Sequence, residues 1–568
     1  MSRRKEVVTL TGLCLQNIAD NMQSVWMKDY MMKNMEEYNF LFIEGPFNQL
    51  AGSLVQELIR ILGESHKLNK GCLHLLLQPH LLELSLRSCA GIVNVAIMQL
   101  VTVRCKHLTS LDLHSCNRVP AASLATLIEG LPRLIKLCLA DTQCDSLVLT
   151  AIGRSCPRLC ELDVSRCKKV SSSSLLSMVY DTKGATFCCQ ALRVLLLDDV
   201  KPKGSPEQWA QVLCFILLAL PCLEELPNPS LSAALNLLYS RSFTKPGTCF
   251  DGFPPLAEVA QSRTISESKI KGGSNMRNYQ LNSSASSPKV TPQRSSETSV
   301  MPERLTLRLK KLEDLEEDDV SVVGSLCPLV EEVAISLGDQ PLGSWSLVQW
   351  PHLTKLTLHC PQKPERTLEE FLAALQAIGN SLQVLSLQNL LWCHDDSLPT
   401  LLTMCPNLQS FQSHFTVLRQ NLLPNEPELP PWPRDPLPLP RLHAFSLLIE
   451  GEGSSQAIFQ HKLGGSLVSV LKGSPQLESL SLCGVQSPLD SVFEVVYGSS
   501  PPRPLQRLSA VTLCGSNVTQ WGASLVVRSG SDLRTLDLSH CKEVTCRDHH
   551  QLQERARKQR LNLTISWL

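Results

Sequence analysis

The residues that come nearest to a metal-binding pattern are two cysteines and two histidines close to the C-terminus. Cys541, Cys546, His549 and His550 fall within ten residues, and thiolate and imidazole groups are ligands that zinc prefers. However, the Cys-x4-Cys spacing matches no common zinc module, and Cys541 also closes a leucine-rich motif that explains it without a metal. The sequence therefore favours neither a metal site nor a cofactor.

Cysteines are also the residues that could supply a nucleophile. A catalytic cysteine needs a base and an orienting group beside it, and these cysteines instead occupy positions of a structural repeat. They are Cys138, Cys144, Cys156, Cys160, Cys167, Cys188 and Cys189. The sequence also lacks the phosphate-binding loop, Gly-x-Gly-x-x-Gly, Gly-x-Ser-x-Gly and His-Glu-x-x-His motifs. We therefore predict that the chain is not an enzyme.

A leucine motif recurs through the first half of the chain. Its form is Leu-x-x-Leu-x-Leu-x-x-Cys, with Thr or Val replacing the last residue in some copies, and successive copies start 27, 26, 25 and 33 residues apart. This spacing is typical of leucine-rich repeats. The copies start at Leu81, Leu108, Leu134, Leu159 and Leu192, and a degenerate sixth copy contains Leu223 and Leu226.

The second half carries the same motif less strictly. Its copies start at Val330, Leu353, Leu382, Leu408, Leu442, Leu477, Leu508 and Leu533, of which the copy at Leu408 is the weakest. Several are preceded by a proline that ends the previous helix, as at Cys156-Pro157 and Cys405-Pro406. This Cys-Pro entry and the cysteine-ended strand resemble the cysteine-containing leucine-rich repeats of F-box proteins. The segment 561–568 alternates like a closing strand.

Each motif predicts a short strand with inward leucines, followed by a helix such as the one expected over 122–128. Because one repeat cannot bury its own apolar face, stability must come from stacking neighbours. The predicted fold is α/β, a leucine-rich-repeat solenoid (horseshoe) with an N-terminal helical adaptor segment. The predicted regions are the adaptor 1–70, a first array 71–260, a linker 261–302 and a second array 303–568.

Two segments interrupt the repeats. Residues 261–301 are rich in Ser and Thr, and six basic and two acidic residues give them a net charge of +4, so we expect a disordered linker. Proline-directed phosphorylation sites are predicted within it at Ser287 and Thr291. The segment 424–440 is rich in proline and is predicted to be a stiff surface loop, with a polyproline ligand as the alternative.

Composition narrows the classes of function. Of 568 residues, 53 are Lys or Arg and 53 are Asp or Glu, so the chain lacks the basic field that binders of nucleic acid or of anionic membranes need. The longest strongly apolar run, 212–220, has nine residues, whereas a membrane helix needs roughly twenty. The N-terminus has no apolar core of a secretory signal. We therefore expect a cytoplasmic or nuclear protein whose 23 cysteines are mostly buried thiols.

The N-terminal segment carries its own apolar pattern. Leu10, Cys14 and Ile18 are four residues apart and so share one face of a helix, which Leu13 and Leu15 widen. The segment matches Thr/Ser-Leu-x-x-x-Cys-x-x-x-aliphatic and resembles the BC box by which substrate receptors bind elongin C. Its N-terminal position is similar to that in the Zyg-11 and Zer families. The resemblance implies that Leu10 enters a pocket of elongin C and that Cys14 and Ile18 pack beside it.

A second segment resembles a cullin-2 box, because Pro46 is followed by the spaced aliphatic residues Leu50 and Leu54. The usual form has an aliphatic residue directly before the proline, where this chain has Gly45. The Leu-Pro-aliphatic-Pro signature of a cullin-5 box is absent. We predict a helix over 53–62 in this segment. Its predicted apolar face consists of Leu54, Leu58, Ile61 and Leu62, and its predicted C-cap is Gly63.

These resemblances imply the substrate-recognition subunit of an elongin-BC cullin RING ubiquitin ligase. Its partners would be elongin C, elongin B, a cullin (cullin-2 or a related one) and a substrate protein on the concave face. The predicted substrate surface consists of Arg87, Asp112, His114, Asp163, Ser165 and Asp198. Its acidic lean favours a basic substrate. The alternative is a non-ligase scaffold whose N-terminal helix only caps the first repeat.

Overall fold

The computed structural model describes residues 9–28, 46–200, 205–242, 252–263, 305–338, 347–361, 366–392, 397–417, 435–450, 456–498, 505–529, 533–559 and 561–567. The chain divides into two compact units. One contains Leu10–Leu309 and the short piece Ser325–Cys327, and the other contains Lys310–Gly324 and Pro328–Leu568.

The first unit is built on a parallel sheet of five short strands in the order β1-β2-β3-β4-β7. Its strands, with those of a two-stranded antiparallel hairpin (β5 and β6), are β1 (Glu83–Ser85), β2 (Ser110–Asp112), β3 (Lys136–Cys138), β4 (Glu161–Asp163), β5 (Tyr180–Asp181), β6 (Thr186–Phe187) and β7 (Val194–Leu196). The central leucine of each sheet strand points inward and pairs in register with the next. These leucines, all buried, are Leu84, Leu111, Leu137, Leu162 and Leu195. The predicted leucine-rich-repeat solenoid is confirmed.

Helices lie between the strands, as the repeat requires. They are α1 (Leu10–Asp20), α2 (Gly52–Glu64), α3 (Lys70–Leu76), α4 (Val95–Arg104), α5 (Ala121–Glu129), α6 (Ser146–Ser155), α7 (Ser172–Val179), α8 (Pro206–Ala219), α9 (Leu231–Ser240) and α10 (256–263), with a π-helix at Met22–Met27 and a 3-10 helix at Arg87–Ile92. Several start at a polar N-cap, such as Asn94 for α4 and Asp145 for α6, whose side chains accept backbone N–H groups of the first turn.

The hairpin explains why one repeat has a period of 33 residues. It is an insertion between α7 and β7, and Tyr180 in β5 packs against Phe187 in β6 with ring centroids 5.2 Å apart. At the end of this unit α10 extends to residue 263, three residues into the segment predicted as a linker. Arg263 is buried there and donates hydrogen bonds to the carbonyl oxygens of Leu217 and Leu218 at the C-terminal end of α8. The rest of that linker lies outside the described residues.

The second unit contains a parallel sheet of ten strands that pair in chain order. They are β8 (Lys311–Glu316), β9 (Glu332–Ser336), β10 (Lys355–His359), β11 (Val384–Trp392), β12 (Ser410–Val417), β13 (Ala444–Glu450), β14 (Ser479–Cys483), β15 (Ala510–Thr512), β16 (Thr535–Asp537) and β17 (Thr564–Ser566). The predicted closing strand at the C-terminus is therefore confirmed as β17. The weak motif at Leu408 precedes β12, one of the longest strands.

Strand β8 was not predicted from the leucine motif. Its pairing with β9 shifts register between Leu312 and Leu315, and Asp314 has a left-handed φ of 52°. This bulge inserts one residue, so the inward residues no longer follow the Leu-x-Leu spacing.

The helices of the second half of the chain are α11 (Val320–Leu326), α12 (Leu372–Ile378), α13 (Ser397–Met404), α14 (Gln456–Gly473), α15 (Leu489–Tyr497), α16 (Gln520–Ser529) and α17 (Cys546–Lys558), with 3-10 helices at Glu317–Asp319, Leu347–Gln349 and Leu368–Phe371. None of the helices in the described part of the chain has the length and apolarity that a membrane span requires.

Candidate functional site

The N-terminal helix α1 packs against α2 through one of its faces. Leu15, Ala19 and Met22 are buried, and their spacing of four and three residues places them on one side of the helix. Lys67 forms an ion pair with Asp20 at the end of α1 (Nζ to Oδ1, 2.7 Å), and the hydrogen bond from Lys67 lowers the pKa of Asp20. The helix is thus held to its unit by both apolar and charged contacts.

The opposite side of α1 is exposed and carries apolar side chains among polar ones such as Gln16 and Asn17. The side chains of Leu10 and Leu13 are 78% and 55% exposed, and Cys14 is exposed as well. Ile18 lies at the border between the faces and is half-buried. The predicted helix and its Leu10–Cys14 face are therefore present, but Leu15 does not widen that face, because it points into the unit and is 5% exposed.

Two further apolar side chains are exposed beyond α1. The chain passes through the π-helix at Met22–Met27, where Val25 and Trp26 are 52% and 37% exposed. The Trp26 ring packs on Phe47, with ring centroids 5.3 Å apart. The sequence analysis did not predict that Val25 and Trp26 are exposed. The four-residue spacing that places Leu10, Cys14 and Ile18 on one face does not continue through a π-turn.

The predicted cullin-box residues lie on and before α2. Pro46 is exposed, and Leu50 and Leu54 are half-buried. The predicted apolar face of this helix was partly wrong, because the structure buries Val55 and Ile59 and leaves Leu54 and Ile61 half-exposed. Its fully buried apolar side chains are Val55, Leu58, Ile59 and Leu62.

Gly63 is not the C-cap of α2, as the sequence suggested, since the cap is Ser65. Gly63 lies inside the helix against Ser88, and a Cβ there would come 2.1 Å from the Ser88 Oγ. The glycine is therefore required by the close approach of the helix to the first repeat, not by a turn. Residues 42–45, which precede Pro46 in the sequence, lie outside the described part of the chain.

The predicted substrate surface lies along the five-stranded sheet. Five of the six predicted residues reach solvent: Arg87, Asp112, His114, Asp163 and Asp198. The prediction for Ser165 as a solvent-facing position was wrong, because it is 7% exposed. Its hydroxyl accepts a hydrogen bond from the backbone N–H of Asp198 (3.2 Å) in the neighbouring repeat.

Two lateral rows of side chains cross this sheet on the side opposite the inward leucines. The first row is Glu83, Ser110, Lys136, Glu161 and Val194, and the second row, which we call the aspartate row, is Ser85, Asp112, Cys138, Asp163 and Leu196. In the first row Lys136 pairs with Glu161 (Nζ to Oε1, 2.7 Å). Sequence reasoning identified the two aspartates but missed Cys138 and Leu196 beside them.

The cysteine positions fit a structural role. Burial raises the pKa of Cys116, Cys138 and Cys156 to about 12, so these thiols are protonated at neutral pH. Two of the four residues considered as zinc ligands in the sequence have other contacts. Cys541 is buried and its thiol donates to the carbonyl oxygen of Leu513, and the His549 ring stacks on Trp567. Within the described ranges, no group of three or more His, Cys, Asp or Glu side chains could hold a metal ion.

Two sets of predicted residues cannot be placed. Ser287 and Thr291 lie outside the described residues, and so do residues 424–434 of the proline-rich segment. Residues 435–439 of that segment have no regular secondary structure.

No protein-family model and no curated protein matches this sequence. Among solved structures, it is similar to a chain of the yeast Rad7–Elc1 complex, with 14% identity, coverage of 99% of this chain and 98% of that chain, and a TM-score of 0.42. It is also similar to the internalin inlF of Listeria monocytogenes, with 12% identity, coverage of 92% and 97%, and a TM-score of 0.30. The leucine-rich repeat-containing protein LegL7 of Legionella pneumophila shares 14% identity over 59% of this chain and 82% of its own, with a TM-score of 0.25. Likenesses this distant assign neither an activity nor a partner.

Proposed function

We propose that the chain is the substrate-recognition subunit of an elongin-BC cullin RING ubiquitin ligase, working in the cytoplasm or nucleus. The observation that carries the proposal is the exposed face of α1. Leu10 and Cys14, two of the three residues proposed to bind elongin C, point to solvent while the helix is fixed through its other face. This is the arrangement that a helix needs in order to enter a groove of a partner such as elongin C.

Exposure of this face has a cost that a partner would remove. Burying an exposed leucine side chain contributes about 1.5–3 kcal/mol, and Leu10 and Leu13 are both more than half exposed. Because α1 is already folded against α2, little further ordering of this helix would oppose binding. The chain itself would contribute no chemistry; it would raise the effective concentration of a substrate near the ubiquitin-conjugating enzyme.

The test is recovery of the tagged full-length chain from cells, followed by quantification of elongins B and C. Wild type should recover both, and Leu10→Ser with Cys14→Ser should lose them by at least about tenfold, because a loss of 1.4 kcal/mol is already tenfold in affinity. Leu147→Ser is the matched control, since Leu147 is 53% exposed on α6 and belongs to no predicted docking face. Failure of wild type to recover either elongin would contradict the proposal.

Cullin-2 is the proposed cullin, and the residues proposed to contact it are Pro46, Leu50 and Leu54. Pro46 is exposed and the two leucines are partly accessible, so they could contribute to a second interface. We expect Leu50→Ser with Leu54→Ser to reduce recovery of cullin-2 and to leave elongin recovery unchanged. Equal recovery of cullin-2 by wild type and this variant would contradict the assignment of these residues.

The second candidate function is a non-ligase scaffold in which α1 only caps the repeats. The buried contacts of Leu15, Ala19 and Met22 favour this capping role. The same recovery experiment separates the two, because a simple cap predicts no elongin in the wild-type sample.

A further inference from the structure

Two buried cysteines, Cys144 and Cys167, meet between neighbouring repeats of the first unit. Cys144 is fully buried and Cys167 is 1% exposed. Both are free thiols, and they form a hydrogen bond with each other. Neither belongs to the docking surfaces described above, so the pair consists of two nucleophilic groups that the proposed function does not use.

The repeat itself brings these two thiols together. Cys167 occupies the residue that ends the leucine motif, which we call the closing position, and the closing position of the preceding repeat is Thr142. Cys144 follows Thr142 by two residues in the turn after β3. This turn is joined to the next one by a backbone hydrogen bond from the N–H of Asp141 to the carbonyl oxygen of Ser165 (2.9 Å). The extra cysteine of one turn therefore lies beside the closing cysteine of the next.

The Cys167 sulfur is held against the segment that carries Cys144. Its thiol donates to the carbonyl oxygen of Leu139 (3.0 Å), and its Sγ lies 3.8 Å from the Oγ1 of Thr142. Neighbouring strands lie about 4.7–4.9 Å apart, and a disulfide joins Cα atoms that are about 4.4–6.8 Å apart. The spacing of adjacent repeats is thus compatible with a disulfide between these two turns.

The closing cysteines of the first two repeats, Cys89 and Cys116, have a different environment. Burial raises the pKa of both thiols to about 12. In contrast, the hydrogen bond from Cys144, together with those from Thr142, lowers the pKa of Cys167 to about 7 against the opposing effect of burial. The same thiol–thiol hydrogen bond and burial raise the pKa of Cys144. Because the thiolate is the nucleophile, Cys167 is the thiol that reacts first.

The pair is buried but lies close to the surface. Arg166 and Lys168, on either side of Cys167, are exposed, and Gln143 beside Cys144 is half-buried. Local opening of such surface turns costs less free energy than unfolding of the surrounding strands and helices. A small uncharged oxidant such as hydrogen peroxide can therefore reach the pair, whereas a disulfide of peptide size would need a much larger opening.

We propose that Cys144 and Cys167 are a redox-modification site that hydrogen peroxide converts into a disulfide between neighbouring repeats. The Cys167 sulfur attacks one peroxide oxygen, so an S–O bond forms, the O–O bond breaks and the other oxygen leaves with the thiol proton as water. The Cys144 sulfur then attacks the sulfenic acid, so the S–S bond forms, the S–O bond breaks and a second water leaves. Two thiols are oxidised and one peroxide is reduced to two waters. This inference is independent of the proposed function.

The test treats the purified full-length chain with hydrogen peroxide and then blocks the remaining thiols under denaturing conditions. Digestion without reduction and mass spectrometry identify the cross-linked peptides. Wild type should yield a Cys144–Cys167 cross-link that dithiothreitol reverses. Cys89 and Cys116 are the internal control, because they are buried at closing positions of neighbouring repeats and should not cross-link at the same peroxide concentration.

Two single variants assign the order of the steps. Cys144→Ser keeps a hydroxyl donor for Cys167 but cannot form the disulfide, so Cys167 should stop at the sulfenic acid and be labelled by dimedone. Cys167→Ser should leave Cys144 unlabelled, because burial keeps its thiol protonated. Cys116→Ser is the matched control and should form the Cys144–Cys167 cross-link to the same extent as wild type. Circular dichroism of each variant verifies that it is folded.

The proposal is overturned if peroxide leaves folded wild type without the Cys144–Cys167 cross-link, or if Cys89 and Cys116 cross-link to the same extent. Equal dimedone labelling of Cys167 in Cys144→Ser and of Cys144 in Cys167→Ser would contradict the assignment of Cys167 as the thiol that reacts first.

Discussion

The helices at the two ends of the described repeats, α1 and α17, differ in what they present to solvent. In α17 only Leu552 and Ala556 are buried, and the opposite side is polar. Its exposed residues include Arg547, His550, Gln551, Glu554, Arg557 and Lys558. In α1 one apolar face is buried, while Leu10, Leu13 and Cys14 are also exposed to solvent on the other side.

The difference shows what a cap requires and what it does not. A terminal element of a repeat protein must cover the open core and present a polar outer face to remain soluble. Helix α17 meets both conditions, and its basic last turn is also favourable at a helix C-terminus. Helix α1 buries one side against α2 but leaves Leu10, Leu13 and Cys14 exposed on the other. Capping does not account for these exposed side chains.

The largest loss of stability is expected from substitutions on the buried sides of α1 and α17, where the two helices are alike. Leu15→Ala in α1 and Leu552→Ala in α17 should each cost about 2–5 kcal/mol, because both create a cavity at a buried site. Hydrogen exchange should show faster exchange of the amides of the altered helix. Leu13→Ala is the control and should change stability by less than about 0.5 kcal/mol. If Leu15→Ala left α1 fully protected, the face we describe as buried would not hold the helix.

A smaller effect is expected from the cap that starts α17. The Thr545 hydroxyl accepts the Asp548 backbone N–H (3.4 Å) and the Thr545 backbone N–H donates to Asp548 Oδ2 (2.9 Å), which forms a capping box. The hydroxyl also donates to Asp548 Oδ2 (2.6 Å). Thr545→Ala should destabilise α17 by about 1 kcal/mol, measured as faster exchange in its first turn, with no change in α1. Thr545→Ser preserves the hydroxyl and should behave as wild type; equal losses for both variants would contradict the role of the cap.

The smallest effect is a pH dependence of the stability of both helices. The hydrogen bond from Lys67 lowers the pKa of Asp20, and that from Thr545 lowers the pKa of Asp548. Because both folded-state pKa values lie below the ordinary value of about 3.9, this stabilisation is present above that pH and is lost as pH falls through the lowered values. Protection of α1 should therefore decrease below about pH 4, and Asp20→Asn should remove that component for α1 alone. A wild-type profile that is flat from pH 5 to 2 would contradict the contribution of this ion pair.

The repeats could be predicted from the sequence because each inward leucine has the same local environment. The fold, the strands after Leu81 to Leu192 and the helix over 122–128 follow from this regularity. Strand β8 could not be predicted, because the bulge at Asp314 breaks the two-residue alternation. The hairpin β5–β6 also has no counterpart in the motif, and only the structure explains the 33-residue period by an insertion.

The candidate sites were less predictable, because spacing alone does not say which side of an element meets the core. In α1, Leu10 and Leu15 are equally apolar, and only packing against α2 distinguishes the exposed residue from the buried one. For Ser165, the strand pattern suggested exposure, but the hydrogen bond that its hydroxyl accepts from the next repeat depends on the neighbouring turn at Asp198. Gly63 was predicted to be a C-cap from its position at the end of the apolar pattern. Its contact with Ser88 joins parts of the sequence that are distant from each other, so spacing could not reveal it.

The two helices also offer the most direct test of the central claim, that the exposed face of α1 is a docking surface. Among the cysteines that the structure describes, only Cys14 in α1 and Cys546 in α17 are exposed. The measurement is the rate at which a maleimide modifies each of them in the purified full-length chain, with and without purified elongin B–C complex. We predict that the complex strongly slows modification of Cys14 and leaves the rate at Cys546 unchanged. Unchanged modification of Cys14 at saturating elongin B–C would contradict the account.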